Sequence, residues 1–154
     1  MKYFLFLCFF LYTAGISFAQ PKPKPAVKQA SPELKKLLMG SGLPYRIVND
    51  SLAVIPYGGE NLASFNVVVQ KISDLYIIYS NLTEALPGKI DETKYKYLLQ
   101  QNDNFDIVKI GLSADDITFY LRADVYKAGI TTAQLTRVIK QVANVTNIVA
   151  GDLR

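Results

Sequence analysis

The sequence predicts an α+β fold: a mostly antiparallel sheet of five to six strands flanked by three helices, in the order α-β-β-β-β-α-β-β-α. Three observations carry this prediction. Short runs rich in Val, Ile and Tyr alternate with clusters of Gly, Asn, Asp and Ser, the mark of strands joined by tight turns. Most of these turns are too short for parallel crossovers, which need about a dozen residues or more. Helix-capping patterns stand before, between and after the strands, at Ser31, Asp91 and Thr131.

The first helix opens on Ser31-Pro32-Glu33, a cap, a proline at the first helical position and an acid in the first turn, and stops at Gly40-Ser41-Gly42. Leu34, Leu37 and Leu38 form its apolar stripe. Leu43 to Val48 reads as a strand, turned by Asn49-Asp50-Ser51 into a second from Leu52 to Tyr57, which Gly58-Gly59-Glu60-Asn61 ends. Phe65 to Ile72 and Leu75 to Ser80 make a longer hairpin around Ser73-Asp74.

After Leu86-Pro87-Gly88 a helix is expected from about Asp91 to Asn102, capped by Asp91, with Ile90 stapled to Tyr95 and a buried stripe of Tyr95, Leu98 and Leu99. Asp106 to Leu112 and Ile117 to Val125 are the last strands, joined by the polar turn Ser113-Ala114-Asp115-Asp116. In the second of them Ile117, Phe119, Leu121 and Ala123 share one face and Thr118, Tyr120, Arg122 and Asp124 the other. The final helix has a capping box of Thr131 and Gln134 and a staple of Ile130 and Leu135. Leu135, Val138, Ile139, Val142, Val145 and Val149 recur at helical spacing. Its other face, with Arg137, Lys140, Gln141, Asn144 and Asn147, is expected to be solvated.

Ahead of this domain, Lys2 and an apolar run from Tyr3 to Phe10, extended by Leu11, Tyr12 and Ile16, lead to Ser17-Phe18-Ala19. This pattern predicts a secretory signal over residues 1–19, cleaved at Ala19-Gln20, and so an exported protein, periplasmic or secreted, without stable membrane insertion afterwards. The run is too short and too interrupted for a spanning helix, which needs about 20 apolar residues. Residues 20–30, QPKPKPAVKQA, read as an extended proline-rich linker before the domain of residues 31–154.

Composition excludes whole classes of chemistry. Cys8, the sole cysteine, leaves with the signal, and the chain has no histidine. A disulfide framework, a Cys or His metal site, a thiol nucleophile and an imidazole-based triad are therefore all excluded. The formal charge of +4 also dissolves on inspection: Lys2, Lys22, Lys24 and Lys28 precede Ser31, leaving 13 basic against 13 acidic residues. No basic footprint for nucleic acid remains.

The order of elements, together with particular residues, resembles the YbjN-type domains, which share the fold of type III secretion chaperones. The carriers are Gly42-Leu43-Pro44-Tyr45, Ile55-Pro56, Leu98-Leu99 in a helix ending near Asn102, the long strand ending Leu121-Arg122-Ala123-Asp124, and Ile130-Thr131 with Leu135. The resemblance spans about Pro32 to Ala150 and implies a small, dimeric, non-catalytic binding module. It also implies that such folds hold extended segments of other proteins, although an export signal departs from the cytosolic chaperones.

Some strands are apolar on both faces: Tyr76 and Ile78 point opposite to Leu75, Ile77 and Tyr79. Helices on one side cannot cover both faces, so the remainder is covered by other loops and helices or buried against a partner. The expected function is an exported, non-enzymatic protein-binding or regulatory module, a homodimer with a further protein partner and no cofactor. The alternatives are a structural envelope protein and a hydrolase using neither His nor Cys, for which no Gly-x-Ser-x-Gly or Ser-x-x-Lys motif is present. The candidate partner-binding residues are Tyr76, Tyr79, Tyr120 and Tyr126, suited to interfaces, with Arg122 and Asp124. No residue is assigned to catalysis or to metal. Asn102-Asp103-Asn104-Phe105-Asp106 has the opening spacing of a calcium loop, but Ile107 replaces its glycine and no closing Glu follows. Asp115-Asp116 reads as turn chemistry. Asp50-Ser51-Leu52 resembles a short bacterial O-glycosylation acceptor, with Ser51 as the site.

Overall fold

The computed structural model describes residues 32–82, 91–114 and 118–153. The elements are α1 (Pro32–Met39), β1 (Arg46–Asn49), β2 (Leu52–Tyr57), β3 (Phe65–Ile72), β4 (Leu75–Asn81), α2 (Glu92–Gln101), β5 (Lys109–Leu112), β6 (Phe119–Tyr126) and α3 (Thr132–Asp152). The strands form one six-stranded sheet in the order β1-β2-β3-β4-β6-β5. Every pairing is antiparallel. The expected α+β class and element order are those observed. The signal, the linker, the Ser31 cap, the Ile90 staple and Asp115 to Ile117 lie outside the described residues.

Alternation along the strands sorts the side chains into two faces. Ala53, Ile55, Val67, Val69, Tyr76, Ile78, Phe119 and Leu121 point to one face and are buried there. All three helices cover that face. Helix α3 packs on β3, β4 and β6, and α1 packs on α3. Helix α2 packs on β5. Leu135, Ile139, Val142 and Val149 carry α3 into the core, and Leu34 and Leu38 carry α1. Tyr95 of α2 meets the Phe119 ring at 4.9 Å between centroids.

The caps behave as the sequence predicts. Asp91 accepts from the Lys94 N–H at 2.9 Å, and Thr131 and Gln134 close a complete capping box. The hairpin turn puts Ser73 at a φ of 48°, left-handed for a residue with a side chain.

Four expectations are corrected. Strand β1 begins at Arg46 rather than Leu43, because Gly42 takes a φ of 70° and Ser41 Oγ both donates to the Leu38 carbonyl and accepts from the Leu43 N–H, holding the chain in a turn. Strand β5 begins at Lys109 rather than Asp106, because the chain from Asn102 onward curls back: the Asn102 amide takes the N–H and C=O of Ile110. Leu99 is 61% exposed rather than buried, since only Leu98 of α2 is buried in the core. Asn147 is not a solvated residue; its side chain holds the loop between β2 and β3.

Candidate partner-binding surface

Among the described residues, no helix covers the second face of the sheet. Its register aligns a row across all six strands: Arg46 opposite Val54, Val54 opposite Val68, Val68 opposite Tyr79, Tyr79 opposite Arg122, and Arg122 opposite Lys109. A second row runs from Leu52 through Gln70 and Ile77 to Asp124. Val54, Val68, Ile77 and Tyr79 are thus half-buried in the middle beside the polar Gln70, with Arg46 and Lys109 at the margins. Two concavities lie on this face. One of about 450 Å³ is bounded by Arg46, Val54, Val68 and Tyr79, and one of about 440 Å³ by Lys109, Tyr120, Arg122 and Asp124.

The register brings together five of the six candidate residues. Tyr79, Tyr120, Arg122, Asp124 and Tyr126 share the open face. Tyr76 does not join them, for it points into the core and is fully buried. Arg122 donates to both Asp124 oxygens, Nε to Oδ1 and Nη2 to Oδ2, each at 2.7 Å. This bidentate bond raises the guanidinium pKa and fixes the pair as one flat, nearly neutral unit. The Tyr120 ring lies directly on Gly111 of the neighbouring strand, where a Cβ would collide with it. Tyr126, 71% exposed, stands at the end of β6.

Arg46 and Lys109 border the face and were not among the sequence candidates. Alternation alone puts them on one face or the other, and only the pairing register aligns them with Tyr79 and Arg122. In the Asn102 to Asp106 segment the Lys109 ammonium donates to the carbonyls of Asn102 at 2.8 Å and Phe105 at 2.6 Å, and Asn102 Oδ1 accepts from the Ile110 N–H. No group of three or more His, Cys, Asp or Glu stands together to hold a metal among the described residues. Ser51 is exposed in the β1–β2 turn, its N–H donating to Asn49 Oδ1. Ser80 is fully buried in the core, and its hydroxyl has no hydrogen-bond partner among the described residues.

The sequence matches no protein-family model and no curated protein. Its fold matches solved structures. A chain of the heterodimeric ExoU–SpcU complex from the type III secretion system of Pseudomonas aeruginosa superposes with a TM-score of 0.55 at 16% identity, over 79% of this chain and 98% of that one. The chain has a YbjN-like, type III secretion chaperone-like fold. YbjN itself, a proposed transcription regulator from E. coli, superposes with a TM-score of 0.51 at 12% identity, over 77% of this chain and 87% of that one. At these identities the likeness is one of fold, reached with few shared side chains.

Proposed function

We propose that this chain is an exported, non-enzymatic protein-binding module that acts as a homodimer and holds a segment of a partner protein on the open face of its sheet. One observation carries the reading. A six-stranded sheet has all its helices on one face, leaving Val54, Val68, Ile77 and Tyr79 half-buried on the other with no element of the described residues over them. The fold likeness supports it, since one similar structure is a heterodimeric complex and the other a proposed regulator. The sequence pattern of residues 1–19 supports export. The exposed Leu99 of α2 and Leu112 of β5, on elements that pack together, supply an apolar patch for the second copy. Ser51, exposed in its turn, is then an accessible acceptor for a glycan, and an intact mass equal to the bare chain removes that part of the proposal.

The test is gentle crosslinking in the native envelope, purification of the tagged protein and mass spectrometry of what accompanies it, beside an Ile77→Asp, Tyr79→Asp variant. One or a few partners, lost in the variant, are expected. Recovery of the chain alone overturns the reading.

A further inference from the structure

Strand β5 is half the length of β6. Its four residues pair with Phe119 to Arg122, so Ala123 to Tyr126 are paired with β4 on one side and with nothing among the described residues on the other. The direction of their backbone groups follows from the bonds at the two ends of the strand. The Leu82 N–H donates to the Phe119 carbonyl and the Lys127 N–H to the Asp74 carbonyl, so odd-numbered positions of β6 face β4. The Ser113 N–H donates to the Thr118 carbonyl, so even-numbered positions face the β5 side. The N–H and C=O of Asp124 and Tyr126 therefore point outward where β5 has ended.

Beside this edge lies a notch of about 330 Å³. Ile107 and Ala128 bound it, Val125 and Tyr126 run along it, and Ile130 and Val138 line its apolar side. On the open-face side of the same edge stand Lys109, Arg122 and Asp124, two cations to one acid.

We propose that the β6 edge from Ala123 to Tyr126 receives an extended segment of a partner protein, added as a strand in line with β5. The inference rests on the protein-binding reading and deepens it. Unpaired strand groups select an extended backbone. The notch selects an apolar side chain at the positions that face the helices, and on the other side Lys109, the cation in excess of the Arg122–Asp124 pair, selects a residue such as Glu.

The probe is a blocked heptapeptide, Thr-Val-Glu-Val-Thr-Val-Thr, titrated into the isotope-labelled protein and followed by amide NMR. Saturable shifts are expected at Ile107, Asp124, Tyr126 and Ile130, with a Kd of about a millimolar or tighter. Tyr126→Pro removes one outward N–H and no bond to β4, and Ala128→Phe fills the notch; each is expected to weaken binding about tenfold. Replacing the central Glu by Lys is expected to weaken it several-fold. Shifts confined to Val54, Val68 and Tyr79 overturn the edge site while leaving the binding-module reading intact. Concentration-dependent shifts at the edge without peptide make a second copy the occupant and overturn it, as does the absence of any saturable shift.

Discussion

Asn147 on α3 and Asn61 in the loop between β2 and β3 hold each other through both side chains. Asn147 Oδ1 accepts from the Asn61 N–H at 2.9 Å and the Leu62 N–H at 3.2 Å, and Asn61 Nδ2 donates back to the Asn147 carbonyl at 3.0 Å. Gly59 and Gly151 leave the room for it: a Cβ on Gly59 would strike the Asn147 amide, and one on Gly151 the Asn61 amide. Because the Asn147 side chain is pinned by two donors, it cannot move aside cheaply. Asn147→Ala is expected to cost about 1–3 kcal/mol in urea unfolding, as two loop N–H groups lose their acceptor. Gly59→Ala is expected to be destabilising in the native chain and much less so on the Asn147→Ala background, a coupling that a double-mutant cycle reads directly. Additive losses would show that the glycine serves only the turn.

Tyr120 and Gly111 form a second such pair, on the open face. The phenol ring covers the bare backbone of the edge strand, so Gly111→Ala is expected to displace the ring and destabilise the protein by about 1–3 kcal/mol. In a Tyr120→Ala background the same change is expected to be neutral or stabilising, because alanine suits a strand better than glycine. Thermal unfolding of the four variants checks it.

Ser73 carries its turn at a φ of 48°. Ser73→Gly is expected to raise stability by about 1 kcal/mol, since glycine meets no Cβ penalty in the left-handed region. A fall in the urea midpoint would mean that the serine hydroxyl contributes more than the backbone strain costs.

Two phenols are expected to contribute to a loss of stability at alkaline pH. Burial pushes the Tyr76 phenol up to about 12, with the Glu33 carboxylate adding to it. Burial likewise raises Tyr97 to about 12, helped by its 2.6 Å hydrogen bond to Asp152 Oδ2 and by that carboxylate's charge. A folded-state value above the unfolded value of about 10 gives stabilisation that is complete below about pH 10 and is lost as pH rises through about 12. Tyr97→Phe and Tyr76→Phe are each expected to flatten the fall in stability over that window. At pH 7, Tyr76→Phe is expected to be neutral or stabilising by about 1 kcal/mol, because the buried hydroxyl it removes has no hydrogen-bond partner among the described residues.

The proposed dimer patch is tested by Leu99→Glu. Leu99 is 61% exposed, so the substitution leaves the monomer core untouched. Light scattering is expected to show a dimer for the native chain and a monomer for the variant, with an unchanged far-UV spectrum. A native monomer removes the dimer, and a variant that stays dimeric moves the interface elsewhere.

Much of this architecture was legible without coordinates because its causes are local. The Thr131–Gln134 box, the Asp91 cap, the two-residue turn at Ser73-Asp74 and the alternation of Phe119, Leu121 and Ala123 each depend on residues within a few positions of one another. Boundaries failed where a distant or side-chain hydrogen bond replaced the local one, as when Asn102 took the place of a strand beside Ile110 and when Asn61 drew Asn147 out of the solvated face.

The candidate surface divides along the same line. Period-two patterning by itself put Tyr120, Arg122 and Asp124 on one face and showed that β4 is apolar on both sides. It did not say which face of β4 the helices would take. That choice buried Tyr76 and left Tyr79 in the open, and it was made by the packing of α1 and α3 against one side of the sheet. Strand order and register were decided only in three dimensions, where β6 inserts between β4 and β5 and aligns Arg46, Tyr79 and Lys109 in one row. The physical reason is that caps, turns and alternation are settled by neighbours along the chain, whereas the covered face and the register are settled by how the whole apolar surface can be removed from water at once.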